Sequence, residues 1–338
     1  MIVVTGGAGM IGSIISWHLN TKLGRDNLVI VDRVTHEEQW HNLAHRQYAQ
    51  YLDKDQLLPW LQNGTESKAR TDIEAIIHMG AISATTERDF NKLVESNIHY
   101  SQNLWTWCAN NNVPFFYASS AATYGDGNQG YNDNSVDGLR PLNGYGYSKH
   151  FFDQWALRQT AEDSPPAWAG FKFFNVYGPN EYHKERMASV AYNTFKQFSQ
   201  TGTMRLFKGT RAGIEDGMQM RDFVYVKDAA NVVIHFLSAS LNNKPADHSI
   251  TTNGIYNIGT GQARSFKDLA TAVMTSMGKA PHITYIDMPA DLQGKYQYFT
   301  EANMSKLIAA GYVTPFTSLE DGVNDYVQNY LMQADPYC

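Results

Sequence analysis

The chain has 338 residues and a formal net charge of −6, with 43% hydrophobic and 18% charged residues, as is ordinary for a globular protein with a sizeable core. No basic run offers the stripe of lysine and arginine that neutralises nucleic-acid phosphates, so a nucleic-acid partner is not expected. No apolar run approaches the roughly 18 residues of a membrane span, and no signal peptide precedes the first predicted strand. Two cysteines, Cys108 and Cys338, make neither a disulfide framework nor a zinc site. We therefore expect a cytoplasmic protein with no membrane association and no metal centre.

A glycine-rich turn stands near the start of the chain. An apolar run over residues 2–5 predicts a buried strand, an amphipathic helix is predicted to follow, and the turn between them carries Gly6, Gly9 and Gly12. This GxxGxxG spacing predicts a dinucleotide-binding site, because glycines permit the tight turn and the close approach of pyrophosphate to backbone N–H groups.

The second predicted strand, residues 28–31, ends at Asp32. A carboxylate at this point accepts hydrogen bonds from the ribose hydroxyls of adenosine. Arg33 follows directly, and its guanidinium suits a 2′-phosphate. The sequence therefore leaves both NAD and NADP open.

Further strands and helices are predicted to alternate, which is typical of a parallel sheet. Residues 75–78 form a short apolar run whose following loop, residues 79–83, would lie at the carboxyl end of a strand, where ligands bind in such sheets. A helix is predicted near residues 89–112 and carries Asn97. Two more strands are predicted at residues 115–120, ending in Ser120, and at residues 170–175.

A tyrosine and a lysine four residues apart, Tyr145 and Lys149, open a segment with helical periodicity. Residues at this spacing share one face of a helix. The Lys149 ammonium would favour the ionised form of the Tyr145 phenol, which makes Tyr145 the candidate acid and base near neutral pH. Tyr147 lies only two residues before the lysine and fails this spacing. Ser120 could hydrogen-bond a substrate oxygen beside Tyr145.

Four motifs together carry a resemblance to a known family: the glycine fingerprint, residues 119–125 (SSAATYG), Tyr145-x-x-x-Lys149 and residues 174–179 (FNVYGP). They resemble the extended short-chain dehydrogenases/reductases that act on nucleotide sugars, in the NAD-dependent epimerase/dehydratase superfamily. Within it the chain is most similar to the family of ADP-L-glycero-D-manno-heptose 6-epimerases, chiefly through residues 180–190 (NEYHKERMASV). Residues 220–228, 294–297 and 309–312 support this similarity.

The resemblance implies a Rossmann-type doubly wound parallel sheet with a smaller mixed α/β C-terminal substrate domain. It also implies an isomerase that supplies heptose for the lipopolysaccharide core, a tightly bound NADP with NAD as the alternative, a nucleotide-sugar substrate and a homo-oligomer, specifically a pentamer. We predict that residues 1–170 and 221–261 form the dinucleotide-binding domain, that residues 171–220 and 262–338 form the substrate-binding domain, and that the site lies in the cleft between them.

The resemblance further implies roles for individual residues. The implied catalytic residues are Tyr145, Lys149, Lys184 and Ser120. The implied cofactor contacts are Gly6, Gly9, Met10, Ile11, Gly12, Asp32, Arg33, Lys54, Met79, Gly80, Ala81, Ile82, Ser83, Asn97, Tyr145, Lys149, Val176 and Lys184. The implied substrate contacts are Ser120, Asn175, Arg186, Asn193, Phe207, Lys208, Gly209, Thr210, Arg221 and Tyr296. Two positions depart from the family: Gln39 stands where some relatives have a lysine near the adenosine phosphate, which weakens the case for NADP, and Glu185 stands where relatives often have glycine.

The expected chemistry is hydride transfer from a secondary alcohol to nicotinamide and return of the hydride to the opposite face of the ketone. In a side chain beyond the sugar ring, rotation about one carbon–carbon bond presents either face. The oxygen then meets a different protein group in each orientation, so two acid/bases are expected. Tyr145 and Lys184 are the candidates.

Three alternatives fit parts of the sequence. A sugar dehydratase needs carboxylates just after the strand-end serine, where this chain has Ala121 and Ala122, so elimination is disfavoured. A 4-epimerase or nucleotide-sugar reductase of the same superfamily stays open, and only the Lys184 segment and the C-terminal motifs argue against it. A cofactor-sensing regulator without catalytic activity can dispense with the tyrosine, whereas this chain keeps the pair of Tyr145 and Lys149.

Overall fold

A computed structural model describes residues 1–62, 72–211, 213–242, 253–289 and 296–338. Within these ranges the strands are β1 (Ile2–Thr5), β2 (Leu28–Asp32), β3 (Gln50–Asp53), β4 (Ala75–His78), β5 (Phe115–Ser120), β6 (Trp168–Phe173), β7 (Asn175–Tyr177), β8 (Met204–Phe207), β9 (Met220–Tyr225), β10 (Gly254–Ile258), β11 (Ala263–Ser265) and β12 (Ile283–Ile286). The α-helices are α1 (Met10–Leu23), α2 (Leu57–Gln62), α3 (Phe90–Leu93), α4 (Tyr100–Asn110), α5 (Gly144–Leu157), α6 (Val190–Thr201), α7 (Val226–Asn242), α8 (Phe266–Ser276), α9 (Ser305–Ala309) and α10 (Leu319–Tyr326). Gly294 and Lys295, which belong to one of the supporting motifs, lie outside the described residues.

A seven-stranded sheet organises the chain, with the strand order β10-β6-β5-β4-β1-β2-β3. Every pair in it is parallel. Its two faces are both buried: Ile2 and Val4 of β1 pack in one cluster with α1 and α7, while Val3 packs on the other side with α4 and α5. This is the doubly wound parallel sheet that the sequence predicted, and the strand order reverses between β1 and β4, where such sheets open a ligand-binding crevice.

The edge strand β3 was absent from the sequence prediction. Of its four residues only Leu52 is buried, because β3 has a neighbour on one side only. A strand so little buried carries no apolar run by which sequence could reveal it.

The strand predicted over residues 170–175 is divided in the structure, which corrects that prediction. The part called β6 ends at Phe173 in the large sheet, whereas β7 pairs with β9 in a three-stranded sheet of order β11-β9-β7. The chain leaves one sheet for the other at the buried Phe174. A two-stranded sheet of β8 and β12 completes the strands of the described ranges. The proposed division into two domains stays a prediction.

The helix predicted near residues 89–112 is present, but its middle is a π-helical segment, Val94–His99, between α3 and α4. Such segments are uncommon and are frequent at functional sites. This one places Asn97 inward, fully buried, toward the carboxyl end of β4. None of the helices in the described ranges is long and apolar enough to cross a membrane.

Candidate active site

The glycine fingerprint forms a tight turn between β1 and α1. A Cβ at Gly12 would lie 2.2 Å from the carbonyl oxygen of Gly6, so any side chain there would push α1 away from the turn. The helix begins at Met10, and its first backbone N–H groups have no partner within the helix. An N-terminus of this kind attracts anions, which suits the pyrophosphate of a dinucleotide.

The carboxylate of Asp32 lies beside this turn at the end of β2. It accepts hydrogen bonds from the backbone N–H groups of Ala8 at 2.8 Å and Arg33 at 2.7 Å. Burial nevertheless raises the pKa of Asp32, and these backbone bonds oppose the shift. The Arg33 guanidinium forms an ion pair with Asp55, and the Lys54 ammonium donates to the Ser96 hydroxyl at 2.9 Å. One carboxylate and two cations therefore surround the position expected for the adenosine ribose.

The loop after β4, residues 79–83, is held by Asn97. Its side-chain oxygen accepts from the backbone N–H of Ile82 at 2.9 Å, and its amide nitrogen donates to the Ile82 carbonyl at 3.0 Å and to Ser148 at 2.9 Å. Ser148 in turn donates to the carbonyl of Tyr145. Asn97 thus connects the predicted cofactor loop to the helix that carries the catalytic pair, and its direct contact with cofactor stays a prediction.

Tyr145 and Ser120 meet at the carboxyl end of β5. Tyr145 lies in the first turn of α5, which is capped by the side chain of Asn143. A Cβ at Gly146 would lie 2.8 Å from the carbonyl oxygen of Ala122, so glycine permits the helix to approach the turn after Ser120. The Ser120 hydroxyl lies near enough to the Tyr145 phenol to act on its pKa. The structure brings these two predicted residues together.

The electrostatics of the pair differ from the sequence prediction. Burial raises the pKa of Tyr145, and although the Ser120 hydroxyl opposes that shift, the phenol is protonated at neutral pH. The ammonium of Lys149 instead donates to the carbonyl of Ala118 at 2.7 Å. The prediction that Lys149 ionises Tyr145 is therefore wrong for this structure, because helical spacing gives a shared face but does not fix where a long side chain ends.

Lys149 itself is 4% exposed. Its burial lowers its pKa to about 8, while Asp153, one turn further along α5, acts in the opposite direction. Asp153 is fully buried and forms an ion pair with Lys172 at 2.8 Å. It also accepts a hydrogen bond from Ser119 at 2.7 Å. No sequence signal marked this buried pair, since each partner stands in an otherwise apolar segment far from the other in the chain.

Lys184 lies in a short turn of 3₁₀ type, Tyr182–Met187. Its amine is 3.8 Å from the sulfur of Met10, in the first turn of α1. The neighbouring Glu185 has a φ of 47°, an unusual value for a residue with a side chain. Its carboxylate lies 3.4 Å from the His36 ring, on the loop after β2. The predicted second acid/base is thus placed beside the glycine turn.

The predicted substrate contacts gather partly around Arg221. This residue is 6% exposed, its Nη1 donates to the carbonyl of Met220, and its guanidinium lies 4.9 Å from the ring centre of Tyr296. Phe207 contacts the same tyrosine, with ring centres 6.2 Å apart. Burial lowers the pKa of Arg221, but no carboxylate is among the groups that act on it.

The other predicted substrate residues lie around this centre or at the surface. Thr210 shares a hydrogen bond of 2.5 Å with the Tyr298 hydroxyl, and Lys208 pairs with Asp287 at 3.0 Å. Asn193 donates to the carbonyl of Ala188 at 3.0 Å. The remaining members are Asn175 and Arg186, both exposed, and Gly209, whose N–H donates to Asp216. Val176, a predicted cofactor contact, is half-buried on β7.

A sequence model of the NAD dependent epimerase/dehydratase family matches residues 2–259. The chain belongs to this family. It is 49% identical to the ADP-L-glycero-D-manno-heptose-6-epimerase of Fusobacterium nucleatum and 48% identical to that of Nitratidesulfovibrio vulgaris, in each case over 100% of both chains.

Two solved structures are similar to this chain in fold. The Helicobacter pylori enzyme named ADP-L-glycero-D-manno-heptose-6-epimerase superposes with a TM-score of 0.77 and 25% identity, covering 97% of this chain and 95% of that one. A Thermus thermophilus UDP-glucose 4-epimerase in complex with NAD shares the fold, with a TM-score of 0.71 and 22% identity over 97% of both chains.

Membership of this family identifies the cofactor class as a nicotinamide dinucleotide. The residues present fit such a group: the turn at Gly6 and Gly12 leaves no room for side chains, the first turn of α1 faces it, and Asp32 stands at the end of β2. Two further residues, Asn42 and Glu181, escaped the sequence analysis. Both are buried polar groups that hold the turn around Lys184.

The buried Lys149 gives the first testable prediction. The resemblance implies a catalytic role for Lys149, and a positive charge on its amine would stabilise negative charge that develops on a nearby substrate oxygen during the reaction. Since the pKa of Lys149 is lowered to about 8, we expect kcat/KM to fall as the pH rises through that value. A pH profile measures it, and a profile flat well above pH 8 would contradict the role.

The same shift has a consequence for stability whose sign is fixed. The folded-state pKa of Lys149, about 8, lies below its ordinary value of 10.5, so burial of the ammonium destabilises the fold fully below about pH 8. That penalty fades between about pH 8 and 10.5. Lys149→Met should therefore raise the free energy of unfolding, relative to the parent chain, by more at neutral pH than at alkaline pH.

Proposed function

We propose that this chain inverts C6 of the heptose in ADP-D-glycero-D-manno-heptose, giving ADP-L-glycero-D-manno-heptose for the lipopolysaccharide core. The observation that carries the proposal is the Tyr145–Ser120 pair at the carboxyl end of β5, in a chain 42–49% identical over nearly its whole length to enzymes of that name. The epimerase predicted from the sequence is confirmed by these relatives. Nothing in them favours a 4-epimerase or a reductase.

A bound nicotinamide dinucleotide would supply the hydride chemistry, which is the removal of a hydride from the alcohol carbon and its return to the ketone. The protein's part is to hold the oxygen and move its proton. Ser120 orients the Tyr145 phenol, which is protonated at neutral pH and donates to the carbonyl oxygen as the alcohol is re-formed. In the opposite orientation of the exocyclic group, the alcohol oxygen gives up its proton on oxidation to a second acid/base, for which Lys184 is our candidate. Asn97 bonds both the cofactor loop, at Ile82, and Ser148 of α5, and so holds the loop against the helix.

The cofactor that we propose is NADP. Support comes from the two cations near Asp32: the exposed Arg33 and the half-buried Lys54. The negative charge of a 2′-phosphate beside the Asp32 carboxylate needs positive charge nearby, and the planar guanidinium of Arg33 matches phosphate oxygens. Arg33 would exchange its ion pair with Asp55 for the phosphate. NAD is the alternative, since Asp32 alone suits free ribose hydroxyls.

A homo-oligomer in the cytoplasm is also part of the proposal. Three exposed aromatic residues lie on α3 and α5, where Phe151 contacts both Phe90 and Tyr147, and a neighbouring copy of the chain would cover them. A pentamer is what the family resemblance implies. A reducing compartment is supported by Cys108 and Cys338, both of which are free thiols.

One experiment tests the chemistry and the cofactor together. Purified protein is denatured and the released nucleotide identified by mass spectrometry, where NADP is expected. A second portion is incubated with ADP-D-glycero-D-manno-heptose in deuterated water and followed by NMR. We expect the L-glycero epimer with protium at C6, because the hydride returns without exchange with solvent. Deuterium at C6 would contradict the mechanism, and turnover of UDP-glucose instead of the heptose would favour the 4-epimerase.

A further inference from the structure

The segment that carries Lys184, residues 178–189, is held at both ends by one carboxylate. Glu181 is fully buried. Its Oε1 accepts from the Ser189 hydroxyl at 2.7 Å and from the backbone N–H of Gly178 at 3.4 Å, and its Oε2 accepts from the backbone N–H of Ser189 at 2.5 Å. Gly178 follows β7 and Ser189 caps α6. Glu181 therefore joins the beginning of this segment to its end.

The segment is also fixed against the cofactor turn. The side chain of Asn180 donates to the Ser13 hydroxyl at 2.9 Å, and Asn42 donates to the carbonyls of Asn180 at 3.0 Å and Ala8 at 2.8 Å. The backbone N–H of Lys184 donates to the carbonyl of Glu181 at 3.0 Å. Lys184 is thus three residues from a buried anchor whose position relative to the glycine turn is set by hydrogen bonds.

A buried carboxylate is a costly way to close a loop unless donors compensate for its lost hydration. Burial raises the pKa of Glu181, and the nearby Lys184 ammonium is the largest influence that lowers it. A glutamine of the same size has one acceptor oxygen only: with that oxygen on the N–H of Ser189, its amide nitrogen can donate to the Ser189 hydroxyl but faces the N–H of Gly178, donor against donor. A carboxylate, with acceptors on both oxygens, satisfies all three donors at once.

We propose that Glu181 is a positioning residue for the epimerase reaction, holding segment 178–189 in the conformation that presents the Lys184 amine at the active site. The inference rests on the function proposed above. It assigns Glu181 no contact with substrate or cofactor. Its effect passes through the backbone of the segment and through Lys184.

The test compares Glu181→Gln, Lys184→Met and the double variant with the parent chain. Since a displacement of about 1 Å can reduce a rate roughly 10²-fold, we expect Glu181→Gln to lower kcat by about that factor, with a small change in KM and with the nucleotide still bound. The kcat of the double variant should be little lower than that of Lys184→Met alone, because both changes remove the same contribution, that of the Lys184 amine, to the rate. Fully multiplicative losses would overturn the proposal.

A readout independent of catalysis follows from the sequence of the segment. Trypsin cleaves after Lys184 and Arg186, and both lie inside it. We expect Glu181→Gln to be cut there faster than the parent chain. This measurement keeps the two proposals separate: a parent chain without heptose epimerase activity would refute the proposed function, whereas unchanged cleavage would refute the role of Glu181.

The matched control is Asp228→Asn. Asp228 is a buried carboxylate on α7 that accepts from the backbone N–H of Thr317 at 2.7 Å. Its loss should lower the unfolding temperature yet leave kcat per folded molecule and cleavage after Lys184 unchanged. If Glu181→Gln behaves like this control, Glu181 is only structural. Should Glu181→Gln fail to fold, Ser189→Ala removes one donor to Glu181, and unchanged kcat and cleavage in that variant would equally overturn the proposal.

Discussion

Tyr145→Phe is expected to reduce turnover by roughly 10² to 10⁴ while the fold and the bound nucleotide are retained. The change removes one oxygen, the one on which Ser120 acts, and leaves the ring in the first turn of α5. Proton transfer to and from the substrate oxygen then lacks its partner. Steady-state kinetics and the ratio of nucleotide to protein measure both parts of the expectation.

Tyr147→Phe supplies the matched control. Tyr147 lies two residues further along the same helix, is 39% exposed, and packs against Phe151. The same oxygen is removed, but from a ring directed away from the site, so turnover should stay near that of the parent chain. Near-normal turnover in Tyr145→Phe, or an equal loss in both variants, would remove Tyr145 from its catalytic role.

Arg221→Ala is expected to raise the KM for the nucleotide sugar by roughly 10- to 150-fold, since a hydrogen bond to a charged group contributes about 1.5–3 kcal/mol. Arg221 is buried and no carboxylate pairs with it among the groups described. Its planar guanidinium, held over Tyr296, matches the oxygens of a diphosphate. Binding of the dinucleotide should be unaffected.

Arg264→Ala is the comparison for this variant. Arg264 stands opposite Arg221 in the register of β11 and β9, but its guanidinium is held by Glu320 at 2.6 Å. Both changes remove one arginine from the same small sheet. An unchanged KM in Arg221→Ala, or an equal increase in Arg264→Ala, would show that Arg221 does not bind the diphosphate.

Local sequence patterns predicted much of the fold and part of the site. The apolar runs of β1, β2, β4 and β5 are continuous because both faces of a central parallel strand are buried. The glycine turn was also readable, since a side chain at Gly12 would collide with the turn itself. Edge strand β3 could not be predicted, because an edge strand buries few side chains. The division at Phe174 could not be predicted either, because a change of sheet leaves no mark on the periodicity of the sequence.

What the sequence determined by itself is the class of chemistry: a dinucleotide turn, a strand-end Ser120 and a Tyr145–Lys149 pair, each encoded within a few residues. Only the tertiary structure decided the hydrogen-bond partners, the pKa shifts and the positions of these groups. Lys149 bonds the Ala118 carbonyl instead of ionising Tyr145. The turn that carries Lys184 is held by the hydrogen bonds of Ser189 to the Glu181 carboxylate. Burial and long-range hydrogen bonds set proton affinities and loop positions, and both depend on residues brought together from distant parts of the chain.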